Sequence, residues 1–118
     1  MPVDNLRVPD QWKGVEEAVA RVVSETSDTF DPATLANVHD LVQACRGSCP
    51  VPEETAKGYW STICLSWEGL EIEVFEDRYE FYRFEQGHTD IEEFSHAPGA
   101  MVPARLVSYL PERSSLRD

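Results

Sequence analysis

The apolar residues of this chain change their spacing once, and that change limits what it can fold into. Up to Gly47 they recur at intervals of three and four; from Ile63 to Phe84 they recur at intervals of two. Between the two regimes stands Cys49-Pro50-Val51-Pro52, which cannot continue a helix, because proline lacks the backbone donor and disfavours helical geometry in the residue before it. One helical block followed by one sheet block, in 118 residues, predicts a single α+β domain over residues 1–118 and excludes a two-domain chain. Residues 1–9 and 112–118, the latter polar, are expected to fray.

The helical block reads as a hairpin. Asp10 is a cap for a helix whose face is Trp12, Val15, Val19, Val22 and Val23, ending near Glu25. Asp31 before Pro32 starts a second helix with the stripe Leu35, Val38, Leu41, Val42 and Cys45, and Gly47 stops it. The sheet block reads as an antiparallel meander: Trp60 to Trp67, Leu70 to Glu76 and Tyr79 to Phe84, joined at Glu68-Gly69 and Asp77-Arg78 and closed by Gln86-Gly87. Residues 88–94 are open between two readings. Thr89 and Glu92 have the spacing of a capping box, while Ile91 and Phe94 suit a fourth strand. Pro103 to Pro111 encloses a short helix. The expected architecture is a helical hairpin and a short C-terminal helix on one face of a three- or four-stranded meander.

Charge is where the composition departs from the ordinary. Asp and Glu number 22 against 10 Lys and Arg, for a formal net charge of −12. Residues 53–93 alone hold twelve acids and three bases, net −9. Such a surface repels nucleic acid and anionic membranes, so direct binding to either is not expected. No apolar run is long enough to span a bilayer, and Met1 to Asp10 carries Asp4, Arg7 and Pro9 where a leader would need an apolar core, so a cytoplasmic location is expected. The odd set Cys45, Cys49 and Cys64 argues for free thiols.

If Ile63, Leu65, Leu70, Ile72 and Val74 face the helices, strand alternation sends Glu71 and Glu73 to water. Glu80 joins them beside Tyr82 and Phe84, with Phe75 a further candidate for that side. Turns and strand ends add Glu68, Glu76, Asp77, Glu85, Asp90, Glu92 and Glu93. Carboxylates about 6.6 Å apart along a strand and about 4.8 Å apart between strands form an anionic array with spacings like those of a phosphate backbone. The same acids on a solvated face would only confer solubility.

Enzymatic chemistry finds less support. His39, Cys45, Cys49 and Cys64 can be drawn as zinc ligands, but the pattern lacks a second close pair, and Cys45 falls on an apolar stripe. Glu71 and Glu73 run parallel on a flat strand, whereas a divalent cation needs converging oxygens. No nucleophile elbow or phosphate-cradling glycine run is present, His88 and His96 stand alone, and no catalytic residue, cofactor or metal is expected.

The run Cys49-Pro50-Val51-Pro52, with Ile63-Cys64-Leu65-Ser66-Trp67-Glu68 and Leu70-Glu71-Ile72-Glu73-Val74-Phe75, resembles small uncharacterised bacterial proteins in which a helical pair precedes a meander. Those motifs are packing positions and imply a fold without an assigned chemistry. In size and acidity the chain is also similar to phage and mobile-element inhibitors of the anti-CRISPR and DNA-mimic type. Together these features give the expectation of a non-enzymatic inhibitor whose acidic face occupies the basic nucleic-acid groove of a protein or ribonucleoprotein, as an anti-defence protein, antitoxin or immunity protein. The alternative is a small adaptor or housekeeping module whose acidity only keeps it soluble.

Overall fold

A computed structural model of the chain describes residues 10–111; the fraying expected of residues 1–9 and 112–118 lies outside these residues. The order is α1 (Gln11–Glu25), α2 (Pro32–Cys45), β1 (Glu54–Lys57), β2 (Ile63–Trp67), β3 (Leu70–Val74), β4 (Arg78–Glu85), β5 (His88–Ser95) and α3 (Ala104–Ser108). The α+β architecture is as the sequence implies. The sheet has five strands, two more than the pattern marks firmly, in the order β1-β2-β3-β4-β5 with every neighbour antiparallel.

Both helices begin where their caps predict. Asp10 Oδ1 accepts from Trp12 N at 3.2 Å and Asp31 Oδ1 accepts from Ala33 N at 2.8 Å, satisfying N–H groups that the helix itself leaves unpaired. The proline link is pinned by two indoles: Trp12 Nε1 donates to Cys49 O and Trp67 Nε1 to Pro50 O, each at 3.0 Å. The two-residue loops Glu68-Gly69 and Gln86-Gly87 each place a glycine at positive φ, 77° and 89°, a backbone conformation that costs other residues a Cβ clash.

Register then assigns every strand residue to a face. Ile63, Leu65 and Trp67 stand opposite Val74, Ile72 and Leu70, and Ile72 and Val74 stand opposite Phe81 and Tyr79. These residues join Trp12, Val15, Val19, Val38, Leu41 and Val42 of the hairpin and Leu106 and Leu110 of the C-terminal segment in one core, so all three helices lie on one face. A buried polar joint fixes α2 to the sheet. Asn37 Nδ2 donates to Phe75 O and Glu76 O at 2.9 and 3.1 Å, and Tyr79 Oη donates to Asn37 O at 2.7 Å. Asp40 ties down the segment after β5, with Nε2 of the buried His96 at 2.9 Å and Gly99 N donating at 2.8 Å. Burial alone would raise the Asp40 carboxyl pKa; these two hydrogen bonds and the His96 charge outweigh it and hold the pKa below the usual value.

Residues 88–94 resolve as strand. Phe94 falls opposite Tyr79, where it packs against Tyr109 with ring centroids 6.3 Å apart. β1 was not visible in the sequence, because Glu54-Thr55-Ala56-Lys57 has no apolar alternation; it exists through its register with β2. No helix among the described residues is long and apolar enough to cross a membrane.

Candidate functional site: the outer face of the sheet

The face turned away from the helices carries two cross-strand rows. One runs Ala56, Cys64, Glu73, Glu80, Glu93; the other runs Glu54, Ser66, Glu71, Tyr82, Ile91, with Phe84 and Thr89 beyond it. Alternation therefore does send Glu71, Glu73, Glu80, Tyr82 and Phe84 to one side. Their fates on that side differ.

Glu73 corrects the expectation that it points to water: it is only 7% exposed. The loop between β1 and β2 folds over it, and Thr62 Oγ1 donates to Glu73 Oε2. Closure is tight enough that a Cβ on Gly58 would lie 2.1 Å from Thr62 Oγ1 and 2.6 Å from Glu73 Oε2. Beside it Cys64 is half-buried, and burial, together with the charges of Glu71 and Glu73, pushes its thiol pKa up so that it stays protonated.

Glu80 is held rather than offered. Arg78 Nε donates to its Oε2 at 2.8 Å and Tyr82 Oη to its Oε1 at 2.6 Å. Burial would raise the Glu80 pKa; the hydrogen bonds from Tyr82 and Arg78 overcome that and lower it. Arg78 also pairs with Asp77 Oδ1 at 2.8 Å, approaches Glu93 Oε2 at 3.9 Å and lies over the Phe75 ring at 3.7 Å. Phe75, a candidate for the exposed aromatic set, is thus buried under this guanidinium. Glu92 corrects a second expectation. It stands opposite Phe81, on the helix side, where its carboxylate meets Arg105 Nε at 3.2 Å and Tyr109 Oη at 2.8 Å.

What remains open gathers at the end of the sheet formed by the β2–β3 and β4–β5 turns. Glu54 and Glu68 are exposed there and Glu71 is half-buried, with Ser66 Oγ 3.5 Å from its Oε1. Glu85 and Asp90 are exposed at the same end, but register sets them, opposite His88 and Arg83, on the helix-side rows, as it does Glu92. The two turns are joined, since Phe84 N donates to Gly69 O at 2.9 Å. Among these acids stand Phe84, 48% exposed and stacked on Tyr82 at 6.3 Å between centroids, and Ile91, 61% exposed and directly opposite Tyr82. The C-terminal segment packs on the other face, so it does not cover them. Glu76 and Asp77 lie at the opposite end, in the β3–β4 turn.

Glu85, His88 and Asp90 bring one ligand atom each within 4.8 Å of one another, but all three are exposed, and the imidazole simply sits between two carboxylates, 3.2 Å from Asp90 and 3.6 Å from Glu85. The four residues drawn as a zinc set are divided. Cys45 and Cys49 are buried on the helix side, Cys64 is on the outer face, and His39 is exposed on α2 near Glu16. Sequence reasoning missed Ile91, whose exposure follows from β5, and the exposed pair Tyr59 and Trp60: it began a strand at Trp60, whereas β2 begins at Ile63, and gave Tyr59 no place. Comparison with protein-family models, curated proteins and solved structures finds no match for the chain.

Proposed function

We propose that this protein is a non-enzymatic inhibitor that docks by the β2–β3 and β4–β5 turn end of its sheet into the basic, nucleic-acid-binding groove of a protein or ribonucleoprotein. The observation that carries this reading is the grouping of exposed Glu54, Glu68, Glu85 and Asp90 around the exposed side chains Phe84 and Ile91. Carboxylates steer a positively lined surface and speed encounter, while apolar and aromatic groups that become fully desolvated supply the holding energy. Mimicry by the entire sheet face has weaker support, since Glu73 is covered and Glu80 and Glu92 are paired with arginines. Those pairings favour the second reading, an interaction module whose acidity serves solubility. Anti-defence inhibitors, antitoxins and immunity proteins share the docking chemistry of the first.

The test is a capture experiment with the purified chain at about 0.1 M and about 1 M salt, across which the Debye length falls from about 10 Å to about 3 Å. A basic partner should be held at the lower salt, released at the higher, and displaced by double-stranded DNA. The variant Glu68→Lys, Glu85→Lys, Asp90→Lys should capture none of it. A partner held equally at both salts and by that variant would refer the chain to the second reading.

A further inference from the structure

At the other end of the sheet a cleft of about 690 Å³ opens between the α1–α2 connection, the first turn of α2, the β1–β2 loop and the β3–β4 turn. Its volume is in the range of ordinary ligand sites. The walls combine aromatic and anionic groups: Trp60, which is 62% exposed, with Phe75, and the carboxylates Asp31, Glu76 and Asp77 against the single guanidinium of Arg78. We propose that this cleft receives an arginine or lysine side chain of a protein partner, a second point of contact that rests, for the partner's basic character, on the reading above.

Three observations lead to a cation rather than another occupant. The cleft already solvates one: Arg78 lies 3.7 Å from the Phe75 ring centre while pairing with Asp77 at 2.8 Å, the combination of ring face and carboxylate that a second guanidinium would meet at Trp60 and Glu76. The α2 N-terminus would attract an anion with about half a positive charge, but the Asp31 carboxylate already caps it with a full negative charge, and two further carboxylates line the same space. A second copy of a chain with net charge −12 is repelled from so acidic a surface.

The aromatic wall is also held in place. Gly58 N donates to Thr62 O at 2.9 Å, Thr62 is bonded to the buried Glu73, and Lys57 Nζ pairs with Asp28 of the α1–α2 connection at 2.9 Å. Trp60 and Tyr59, edge to face at 4.8 Å, are therefore presented on an anchored loop, which reduces the ordering entropy lost on binding. An exposed tryptophan beside carboxylates has no role in the core this fold builds.

The full chain, uniformly ¹⁵N-labelled, should be titrated with tetra-arginine amide, with the uncharged tetra-citrulline amide and with spermidine. Trp12 and Trp67 are 2% and 6% exposed and bonded to backbone carbonyls, so their indole signals serve as internal references. The Trp60 signal should move saturably with the arginine peptide and not with citrulline. Followed by the backbone amides of residues 76–78, Trp60→Ala should weaken the arginine peptide about two- to fivefold and Trp60→Phe less, and Glu76→Gln should weaken it too. Glu68→Lys, Glu85→Lys, Asp90→Lys should leave the titration unchanged, which separates failure of the cleft from failure of the turn end. Equal response to citrulline, a tighter response to spermidine, or unaltered affinity in Trp60→Ala would each overturn the proposal.

Discussion

The two ends of the sheet contain similar carboxylates and treat them in opposite ways. At the β3–β4 end, one guanidinium gathers Asp77 and Glu80 at 2.8 Å, lies 3.9 Å from Glu93 and covers the Phe75 ring. At the β2–β3 and β4–β5 end, Glu68 is exposed and Glu85 and Asp90 flank only the imidazole of His88. A unit pair at 4 Å is worth about 1 kcal/mol in water and about 4 kcal/mol at the effective dielectric of a protein surface. The half-buried end therefore converts its charges into stability, and the solvated end leaves them for something else. Net charge read from composition does not distinguish these two uses; the position of one arginine does.

Arg78→Ala is the substitution that should separate the ends most. It removes the donor of a Glu80 carboxylate whose side chain is 13% exposed and uncovers Phe75, so a loss of roughly 2–3 kcal/mol is expected in urea unfolding. A change below about 0.5 kcal/mol, the range of ordinary surface substitutions, would mean that both ends are solvated alike.

Next in size is Gly58→Ala. The added methyl must displace Thr62 Oγ1 or Glu73 Oε2, and the overpacked loop should lose roughly 1–2 kcal/mol. The Trp60 indole resonance should shift while those of Trp12 and Trp67 stay. If Trp60 does not respond, the loop is not anchored through Glu73.

The same contrast has a pH signature. The folded Glu80 pKa is lowered from its unfolded value of about 4.3, so its contribution is fully present above that pH and is lost as pH falls through the folded value. Asp40 behaves likewise through His96 and Gly99, in wild type and variant alike. The stability gap between wild type and Arg78→Ala should accordingly narrow as the pH is taken from 7 towards 2, and a gap constant over that range would remove Glu80 from the explanation.

Legibility in the sequence followed how local each cause is. The caps Asp10 and Asp31-Pro32 act within a few residues and located α1 and α2 without help from the rest of the chain. Period-two alternation located β2, β3 and β4 for the same reason. For β5 the residues Thr89, Ile91, Glu92 and Phe94 satisfy two local rules at once, and what decides is distant: Phe94 opposite Tyr79 and under Tyr109. The outer face followed the alternation rule, yet the burial of Glu73 depends on a loop ten or more residues away, and its sequence trace is only Gly58 and Thr62. Arg78 read as half of a turn although Phe75, Asp77 and Glu80 lie within three residues of it, because residue order does not show that the turn folds them, with the distant Glu93, onto one guanidinium.

The smallest expected effect is the most useful control. Glu68→Lys and Glu85→Lys should each alter stability by less than about 0.5 kcal/mol, because exposed charges interact through water and are screened. Their sign should be slightly stabilising at low salt, since each relieves repulsion in a chain of net charge −12, and the gain should fade as salt rises. Urea midpoints at two ionic strengths measure both points. A loss above about 1 kcal/mol in either variant, well outside that surface range, would show these carboxylates holding their turns, and the division between a structural and a free end would fail. If the loss is absent, any binding abolished by the same charge reversals belongs to the surface itself, because the fold that presents it has been shown to be indifferent to them.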